Sequence, residues 1–510
     1  ARESIILLKN ENNLLPLSKN IDSIAVIGPN ADDLSVLLGN YNGTPYKAVT
    51  PLEGIRRKVS TNTTVYHARG CYIAEGVPPV TVIPSSALRP TEADANQTGL
   101  TATYYAGAGF EGEPVRQTVD PLINFNWKGL SALSGELGDH FAVQWTGSLV
   151  PPVTGTYRLG ARGLSDFRLY LDGELLVEYR GVHHPITKMK EVTLEAGRLY
   201  ALRLEYVNRS LDPQMQLLWS LPGPDGHEEA LEMGRKADVV VMIMGLSPEL
   251  EGEEMPIHVE GFSGGDRTSI DLPRPQEELL RSVQALGKPV VLVLLNGSAL
   301  GITWAQEHLP AIVEAWYPGE EGGTALADVL FGDYNPAGRL PVTFYRSVAD
   351  LPPFDDYRME GHTYRYFRGQ PLYPFGYGLS YTTFAYRHLQ PSAPSIVAGE
   401  ELAVSVEVEN IGNCAGDEVV QLYLTDVEAS APVPIRQLQG FQRIHLAPGE
   451  KRTVTFTLTP RQFALINAQG RRIVEPGEFR IAVGGRQPTG AEDTSVLQTT
   501  ITVTGQTVEA

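Results

Sequence analysis

The chain has 510 residues, of which 42% are hydrophobic and 20% charged, and its formal net charge is −19. This length predicts about three or four domains that each bury a core, and the composition is not that of a disordered protein. The negative charge argues against nucleic-acid and membrane partners, and no apolar run reaches the roughly 20 residues that span a bilayer. A neutral ligand is expected instead. Cys71 and Cys414 match no metal or redox spacing and are interpreted as packing residues.

The chain begins with ARESIILLKNENNLLPL, which places Ile5, Leu8 and Leu15 on a predicted helix-to-loop transition. This start falls inside a pattern, has no methionine and shows no signal-peptide features, so it predicts an internal cut through a longer protein. Because a targeting peptide would precede that cut, the compartment stays open, with periplasm or secretion and cytoplasm all allowed.

Several short runs that are apolar on both faces are typical of parallel strands covered by helices. They are IAVIG, DVVVMIMG, PVVLVLLNG and AIVEAWYPG. Helix-like stretches, RPQEELLRSVQALGK and GEEGGTALADVLFG, separate the later runs, so strand and helix alternate as in an open α/β sheet.

Two other regions, at 91–225 and 384–510, alternate polar with aliphatic or aromatic residues between turn signals, which is typical of β-sandwiches. The first interrupts the α/β pattern, which resumes at Ala237, so we interpret it as an insertion. The predicted fold class is therefore multidomain α/β plus all-β. Its parts are a discontinuous α/β sandwich domain at 1–90 and 226–345, an inserted β-sandwich at 91–225, a Tyr/Pro/Gly-rich linker at 346–383 and an immunoglobulin-like β-sandwich at 384–510.

The segment GLSPELEGEEM follows the apolar run VVVMIMG and contains Glu249, Glu251, Glu253 and Glu254. Ligands of open α/β sheets bind in loops at the carboxyl ends of strands. Crowded carboxylates repel one another, so at least one is expected to stay protonated near neutral pH, where it can act as a general acid. A solvated acidic loop is the plain alternative. Calcium binding is a further one, although the regular ligand spacing of an EF-hand is missing.

Six motifs resemble the C-terminal half of glycoside hydrolase family three, the β-glucosidase and β-xylosidase family. They are ARESIILLKNENNLLPL, IAVIGPNAD, GNYNGTPYKAVTPLEGI, GGDRTSIDLPRPQEELL, FGDYNPAGRLPVTF and YPFGYGLSYTTF. The resemblance implies a (β/α)8 barrel first, then the α/β sandwich domain, then a fibronectin type III-like domain. The inserted sandwich resembles the protective-antigen-type module of some members.

The resemblance also implies an aspartate nucleophile on the barrel and a glutamate acid/base in the acidic loop. Matching a Glu-x-Glu pattern onto Glu251-Gly252-Glu253 favours Glu251 as the acid/base, with Glu253 as the alternative, followed by Glu249 and Glu254. A retaining glycosidase needs two carboxylates about 5–5.5 Å apart and no metal or organic cofactor. No nucleophile segment of the family's kind is found, so the barrel is expected from the same protein or from another chain. Loss of catalysis is the remaining alternative.

The function predicted by this resemblance is the C-terminal part of a retaining exo-acting β-glycosidase, foremost a β-glucosidase. Its substrates would be β-linked oligosaccharides or aryl or alkyl glycosides. The alternative is a noncatalytic carbohydrate-binding or scaffolding protein. A homo-oligomer is left open.

Secondary candidates lie outside the acidic loop. Phe167 lies in a predicted turn and is a candidate for sugar contact, and His183 and His184 lie near another turn; for each of the three a core or surface role is favoured. Asp266 and Arg267 are interpreted as a structural pair that holds the long loop. The glycines of WYPGEEGG are expected to pack rather than to bind phosphate, and YPFGYGLSY is expected to pack the last sandwich against the α/β domain.

Overall fold

The computed structural model describes residues 1–43, 45–91, 97–127, 137–138, 140–182, 185–210, 212–223, 225–255, 257–490, 493 and 495–510. These residues form two compact units. One joins Ala1–Val77 to Asp225–Ala510, and the other is the inserted segment 78–224. The inserted unit therefore begins about 13 residues before the predicted boundary at 91, because two short strands before that boundary pair with its sheets.

The α/β domain is built on a six-stranded sheet. Its strands are β1 (Ile6–Asn10), β2 (Ser23–Ile27), β3 (Thr64–Ala68), β4 (Val239–Gly245), β5 (Val290–Leu295) and β6 (Ala311–Glu314). They lie in the order β1-β6-β5-β4-β2-β3, and all neighbours are parallel except β1 and β6. Every residue of β4, β5 and β6 is buried, as expected for strands covered on both faces.

The first strand corrects one prediction. Ile6–Asn10 is an antiparallel edge strand rather than part of a helix-to-loop transition. The four consecutive apolar residues 5–8, which overlap the start of this strand, are all buried, so a 3.6-residue period does not describe them. An extended chain that is buried on both faces explains the pattern.

Helices cover the two faces of this sheet. They are α1 (Pro51–Lys58), α2 (His227–Lys236), α3 (Arg274–Gln284), α4 (Thr303–His308) and α5 (Gly322–Leu330). The Thr50 side chain caps α1 by accepting a hydrogen bond from the Glu53 amide, and proline occupies its first turn. Gly323 of α5 lies against the backbone of Thr50, where a Cβ atom would clash, which confirms the predicted packing role. No helix in the described ranges is long and apolar enough to cross a membrane.

The inserted unit consists of two antiparallel sheets. One contains Thr81–Val82, Asn124–Asn126, Gly155–Leu164, Ile186–Leu194 and Gln214–Ser220. The other contains Leu88–Pro90, Leu100–Ala106, Arg116–Asp120, Phe141–Leu149, Asp166–Leu171, Glu174–Tyr179 and Tyr200–Val207. Alternate residues of both sheets form one aromatic-rich core, as the alternating sequence predicts.

The C-terminal sandwich follows the linker. Its three-stranded sheet contains Phe384–Pro391, Leu402–Asn410 and Lys451–Leu458. Its five-stranded sheet contains Ser395–Val397, Gly416–Asp426, Gln437–Leu446, Gly477–Gly484 and Leu497–Thr504. A short helix, Pro460–Phe463, and a small sheet of Leu465–Ile466, Arg472–Val474 and Val508–Glu509 complete it.

The linker joins this sandwich to the α/β domain. The Leu379 amide donates to the Leu7 carbonyl at 2.8 Å, and the Gln421 side chain donates to the Gly376 carbonyl at 3.0 Å. The same segment therefore bonds to β1 on one side and to the sandwich on the other, and the packing predicted for YPFGYGLSY is confirmed. The predicted fold class is confirmed as well.

Candidate active site

The loops that follow β4, β5 and β6 meet at one edge of the sheet because these strands are parallel and in register. Gly245 at the end of β4 pairs with Leu295 of β5, and Leu294 pairs with Glu314 of β6. Gly245 has φ of 128°, and a Cβ atom there would collide with the Leu295 carbonyl. Glycine therefore lets the acidic loop, residues 245–255, cross close over the end of β5.

Glu251 is held by three hydrogen bonds from the two neighbouring loops. Its Oε1 accepts from the Gly297 amide at 2.7 Å and from the Tyr317 hydroxyl at 2.6 Å. Its Oε2 accepts from the Ser298 hydroxyl at 2.7 Å. Burial and the adjacent Glu251 carboxylate raise the pKa of Tyr317, so this phenol remains a donor. Both oxygens of Glu251 thus bind the acidic loop to the ends of β5 and β6.

Arg267 supports the same arrangement from behind. Its guanidinium donates to the Ser298 hydroxyl at 3.1 Å and to the Ala299 carbonyl at 2.9 Å. It also donates to the Asp271 carbonyl at 3.2 Å. Burial lowers the Arg267 pKa, while the charge of Glu251 opposes that change. Arg267 is structural, as expected, but its partners are backbone and Ser298 rather than Asp266, which is exposed.

A second carboxylate, Glu314, lies fully buried at the end of β6. It accepts from the Trp316 amide at 2.9 Å and from the Asn296 side chain at 3.1 Å. Burial raises its pKa to about 8, and nearby Glu251 contributes in the same direction. The sequence pattern does not single out Glu314. The only available signal was an acidic residue that ends the apolar run AIVE without a turn residue before it.

The outer part of the acidic loop is exposed. Glu253 and Glu254 are both exposed, and Glu254 has φ of 49°. The Glu253 Oε2 accepts from the hydroxyl of Tyr41 at 2.8 Å, and this bond raises the Tyr41 pKa. Asn40 donates to the Glu251 carbonyl at 2.8 Å. The loop after β2, which contains the motif GNYNG, therefore contributes two hydrogen bonds to the acidic loop. The spacing of residues in that motif does not predict them.

The predicted site residues thus fall into three groups. Glu251 and Glu253 both lie in the loop at the carboxyl edge of the sheet, one anchored and one exposed. Phe167 lies within the strand Asp166–Leu171, with 1% of its surface exposed, and packs against Tyr179, so it is a core residue rather than a turn residue. The turn residue is Ser165 (φ 86°), two positions earlier. His183 and His184 lie outside the described residues.

Among the described residues, no group of three His, Cys, Asp or Glu side chains is placed to hold a metal ion. The described residues of the acidic loop therefore do not form the cluster of carboxylates that the calcium alternative requires. An anchored carboxylate beside an exposed one can instead offer a proton donor and acceptor to a ligand that docks over the sheet edge.

Comparisons with known proteins identify the family. A model of the glycosyl hydrolase family 3 C-terminal domain matches residues 5–381. The chain belongs to glycosyl hydrolase family 3. A model of the fibronectin type III-like domain also matches residues 418–487 of this family 3 chain. Both confirm the resemblance read from the sequence motifs.

Relatives of this family 3 chain are longer than the chain itself. The xylan 1,4-β-xylosidase of Xylanibacter ruminicola is 34% identical, with 99% of this chain and 57% of that protein covered. A β-glucosidase of Rhizobium radiobacter is 34% identical, with 94% and 59% covered. The structure of the Kluyveromyces marxianus β-glucosidase in complex with glucose has a TM-score of 0.75 at 30% identity, with 99% and 62% covered. The chain therefore spans roughly three-fifths of the length of these relatives.

Proposed function

We propose that this chain supplies the general acid/base of a retaining, exo-acting β-glycosidase, a β-glucosidase or β-xylosidase. The observation that carries the proposal is the exposed Glu253 beside the anchored Glu251 at the carboxyl edge of the sheet. The relatives named as β-xylosidase and β-glucosidase support the substrate class, a β-linked oligosaccharide or an aryl or alkyl glycoside.

We assign the acid/base to Glu253, which reverses the order expected from the Glu-x-Glu pattern. A general acid must reach the departing oxygen and must gain and lose a proton during each cycle. Glu251 has both oxygens occupied by three donors, which hold a carboxylate in place and leave little room for a substrate oxygen. Glu253 is exposed and accepts from one exposed hydroxyl, Tyr41, so it is free to meet a ligand.

In this proposal Glu251 is a positioning residue. It binds the loop to Gly297, Ser298 and Tyr317, while Arg267 fixes Ser298. The nucleophile would be an aspartate on a (β/α)8 barrel of the same protein or of another chain, roughly 5–5.5 Å from Glu253 when the two are docked. Glu253 would protonate the departing oxygen in the first step and take a proton from water in the second.

The test uses an enzyme that contains both this chain and the barrel, assayed on an aryl glucoside and an aryl xyloside with good leaving groups. With Glu253→Ala, breakdown of the glycosyl-enzyme slows, and added azide restores turnover because it replaces the water that needs a base. Glu251→Ala and Glu254→Ala are the matched controls, and azide leaves both unchanged.

Azide rescue of Glu251→Ala in place of Glu253→Ala would return the acid/base to Glu251 and overturn the assignment. Absence of hydrolysis by the intact protein, together with oligosaccharide binding that survives removal of the acidic loop, would replace the proposal with noncatalytic carbohydrate binding.

A further inference from the structure

A cavity of about 200 Å³ lies between the linker and the C-terminal sandwich. The linker lines it with Tyr364, Phe367 and Arg368, and the sandwich lines it with Arg436 and Gln487. One water molecule occupies roughly 30 Å³ in the liquid, so the space exceeds what a single bridging water needs. None of the residues of the acidic loop lines it.

The charge of this cavity is opposite to that of the chain. Arg368 and Arg436 line it, and none of the described residues that line it is Asp or Glu, although the chain carries a net charge of −19. Burial lowers the pKa of Arg436, and within the described ranges no carboxylate forms an ion pair with its guanidinium. Arg436 is half-buried, and a half-buried guanidinium without a carboxylate partner is stabilised when an acceptor reaches it.

Gln487 presents a second unmet requirement. The residue is 3% exposed, and its Oε1 has no hydrogen-bond partner among the described residues. Buried side-chain oxygens in native proteins nearly always accept a hydrogen bond, so this oxygen, on a residue that lines the cavity, lacks a donor. A hydroxyl group is such a donor, whereas a carboxylate is not.

We propose that this cavity binds a small carboxylate that also carries hydroxyl groups, a sugar acid of the uronic acid class. The carboxylate pairs with the guanidinium groups of Arg436 and Arg368, which bind it more strongly than a neutral group because the hydrogen bonds are charge-assisted. A ring hydroxyl donates to the Oε1 of Gln487. The sugar acid arrives either free or as a side group on a β-linked oligosaccharide.

Isothermal titration of the chain with sodium D-glucuronate tests this site. D-Glucose has the hydroxyls without the carboxylate, and acetate has the carboxylate without the hydroxyls, so each should bind at least about tenfold more weakly, since each loses one charge-assisted or buried contact. A xylo-oligosaccharide that carries a glucuronate side group, titrated alongside, separates the two sources of the ligand.

Variants locate the binding. Arg436→Gln should weaken glucuronate binding at least about tenfold, and Arg368→Gln, at an exposed position that leaves folding intact, should weaken it severalfold. Arg365→Gln is the matched control, because Arg365 is exposed on the same linker segment and does not line the cavity. Glu253→Gln should leave glucuronate binding unchanged, so this test is independent of the proposed catalytic role.

Three results would overturn the proposal. They are no heat from glucuronate up to about 10 mM, equal binding of glucose, acetate or inorganic phosphate, and unchanged affinity in both Arg368→Gln and Arg436→Gln. The first would leave the cavity filled with water only.

Discussion

The inserted unit and the α/β domain each contain a carboxylate that accepts several hydrogen bonds. One carboxylate stabilises a core, and the other anchors a loop beside an exposed glutamate. In the inserted unit, Asp120 is 9% exposed and accepts from the Tyr104 hydroxyl at 2.7 Å and from the Trp145 indole at 2.8 Å. In the α/β domain, Glu251 accepts from three donors at the end of the sheet. Asp120 is enclosed by aromatic core residues, whereas Glu251 lies two residues from an exposed glutamate.

The difference shows that a well-bonded carboxylate is not itself evidence of chemistry. Asp120 satisfies two buried donors and thereby stabilises a sandwich core. Glu251 likewise accepts several hydrogen bonds, but it lies in a loop at the carboxyl edge of parallel strands, where a ligand can approach. What makes the second region a candidate active site is the exposed Glu253 that the anchoring presents. The following expected outcomes separate the two regions.

The largest expected effect is on catalysis at the exposed end of the acidic loop. In the enzyme that includes the barrel, Glu253→Gln should lower kcat on an unactivated β-glycoside by about 10²–10⁴-fold, because general acid catalysis is lost. Asp120→Asn is the comparison variant and should leave kcat of the folded protein unchanged. Steady-state kinetics measure both, and equal losses in the two variants would remove the distinction.

Glu314 should make stability depend on pH. Below about 4.5 its carboxyl is protonated in both folded and unfolded chains; as the pH rises toward 8, only the unfolded chain ionises it, so stability is lost over this window. The change from 4.5 to about 8 corresponds to roughly 4–5 kcal/mol. The melting temperature of Glu314→Gln, measured relative to that of wild type, should therefore be higher at pH 8.5 than at pH 5. Exposed Glu307→Gln is the control, and parallel melting curves at both pH values would contradict the expectation.

Phe167→Ala should destabilise the inserted unit by about 3–5 kcal/mol, because a large side chain buried in the aromatic core is replaced by a cavity. Urea unfolding followed by tryptophan fluorescence measures the loss, since Trp145 and Trp219 belong to that core. If KM for an aryl glycoside rose while the unfolding midpoint stayed constant, Phe167 would contact sugar after all.

Removing the two anchored carboxylates compares the regions directly. Asp120→Ala should cost about 2–4 kcal/mol, because the Tyr104 hydroxyl and the Trp145 indole lose their common acceptor inside the core. Glu251→Ala should cost about 1 kcal/mol or less, because its donors lie in loops that water reaches. Differential scanning calorimetry of both variants measures the costs, and a reversed order would show that the acidic loop is part of the folding core.

The smallest effect is expected at Tyr41, which is 89% exposed. Tyr41→Phe removes the hydrogen bond to Glu253 without changing the ring, so kcat/KM should fall by about tenfold or less. Tyr46→Phe is the control, since Tyr46 is also highly exposed. A loss as large as that of Glu253→Gln would give Tyr41 a direct part in proton transfer.

Much of the fold was predictable because its signals are local. The runs that became β2, β4, β5 and β6 are apolar except for Ser23 and Glu314 at strand ends, and the two sandwiches alternate with period two. The N-terminal strand was missed because a four-residue apolar run fits either a helix or a strand, and pairing with β6, about 300 residues away, decides it. The insertion boundary was missed for the same reason, since short strands have no periodicity of their own.

The sequence by itself determined the family, the fold class and the segment in which the acidic residues cluster, because motifs and periodicity are properties of neighbouring residues. Only the tertiary structure decided which glutamate is anchored and which is exposed, that Glu314 is buried behind them and that Phe167 is a core residue. The physical reason is that a side chain's partners come from distant segments, brought together by the register of the parallel strands.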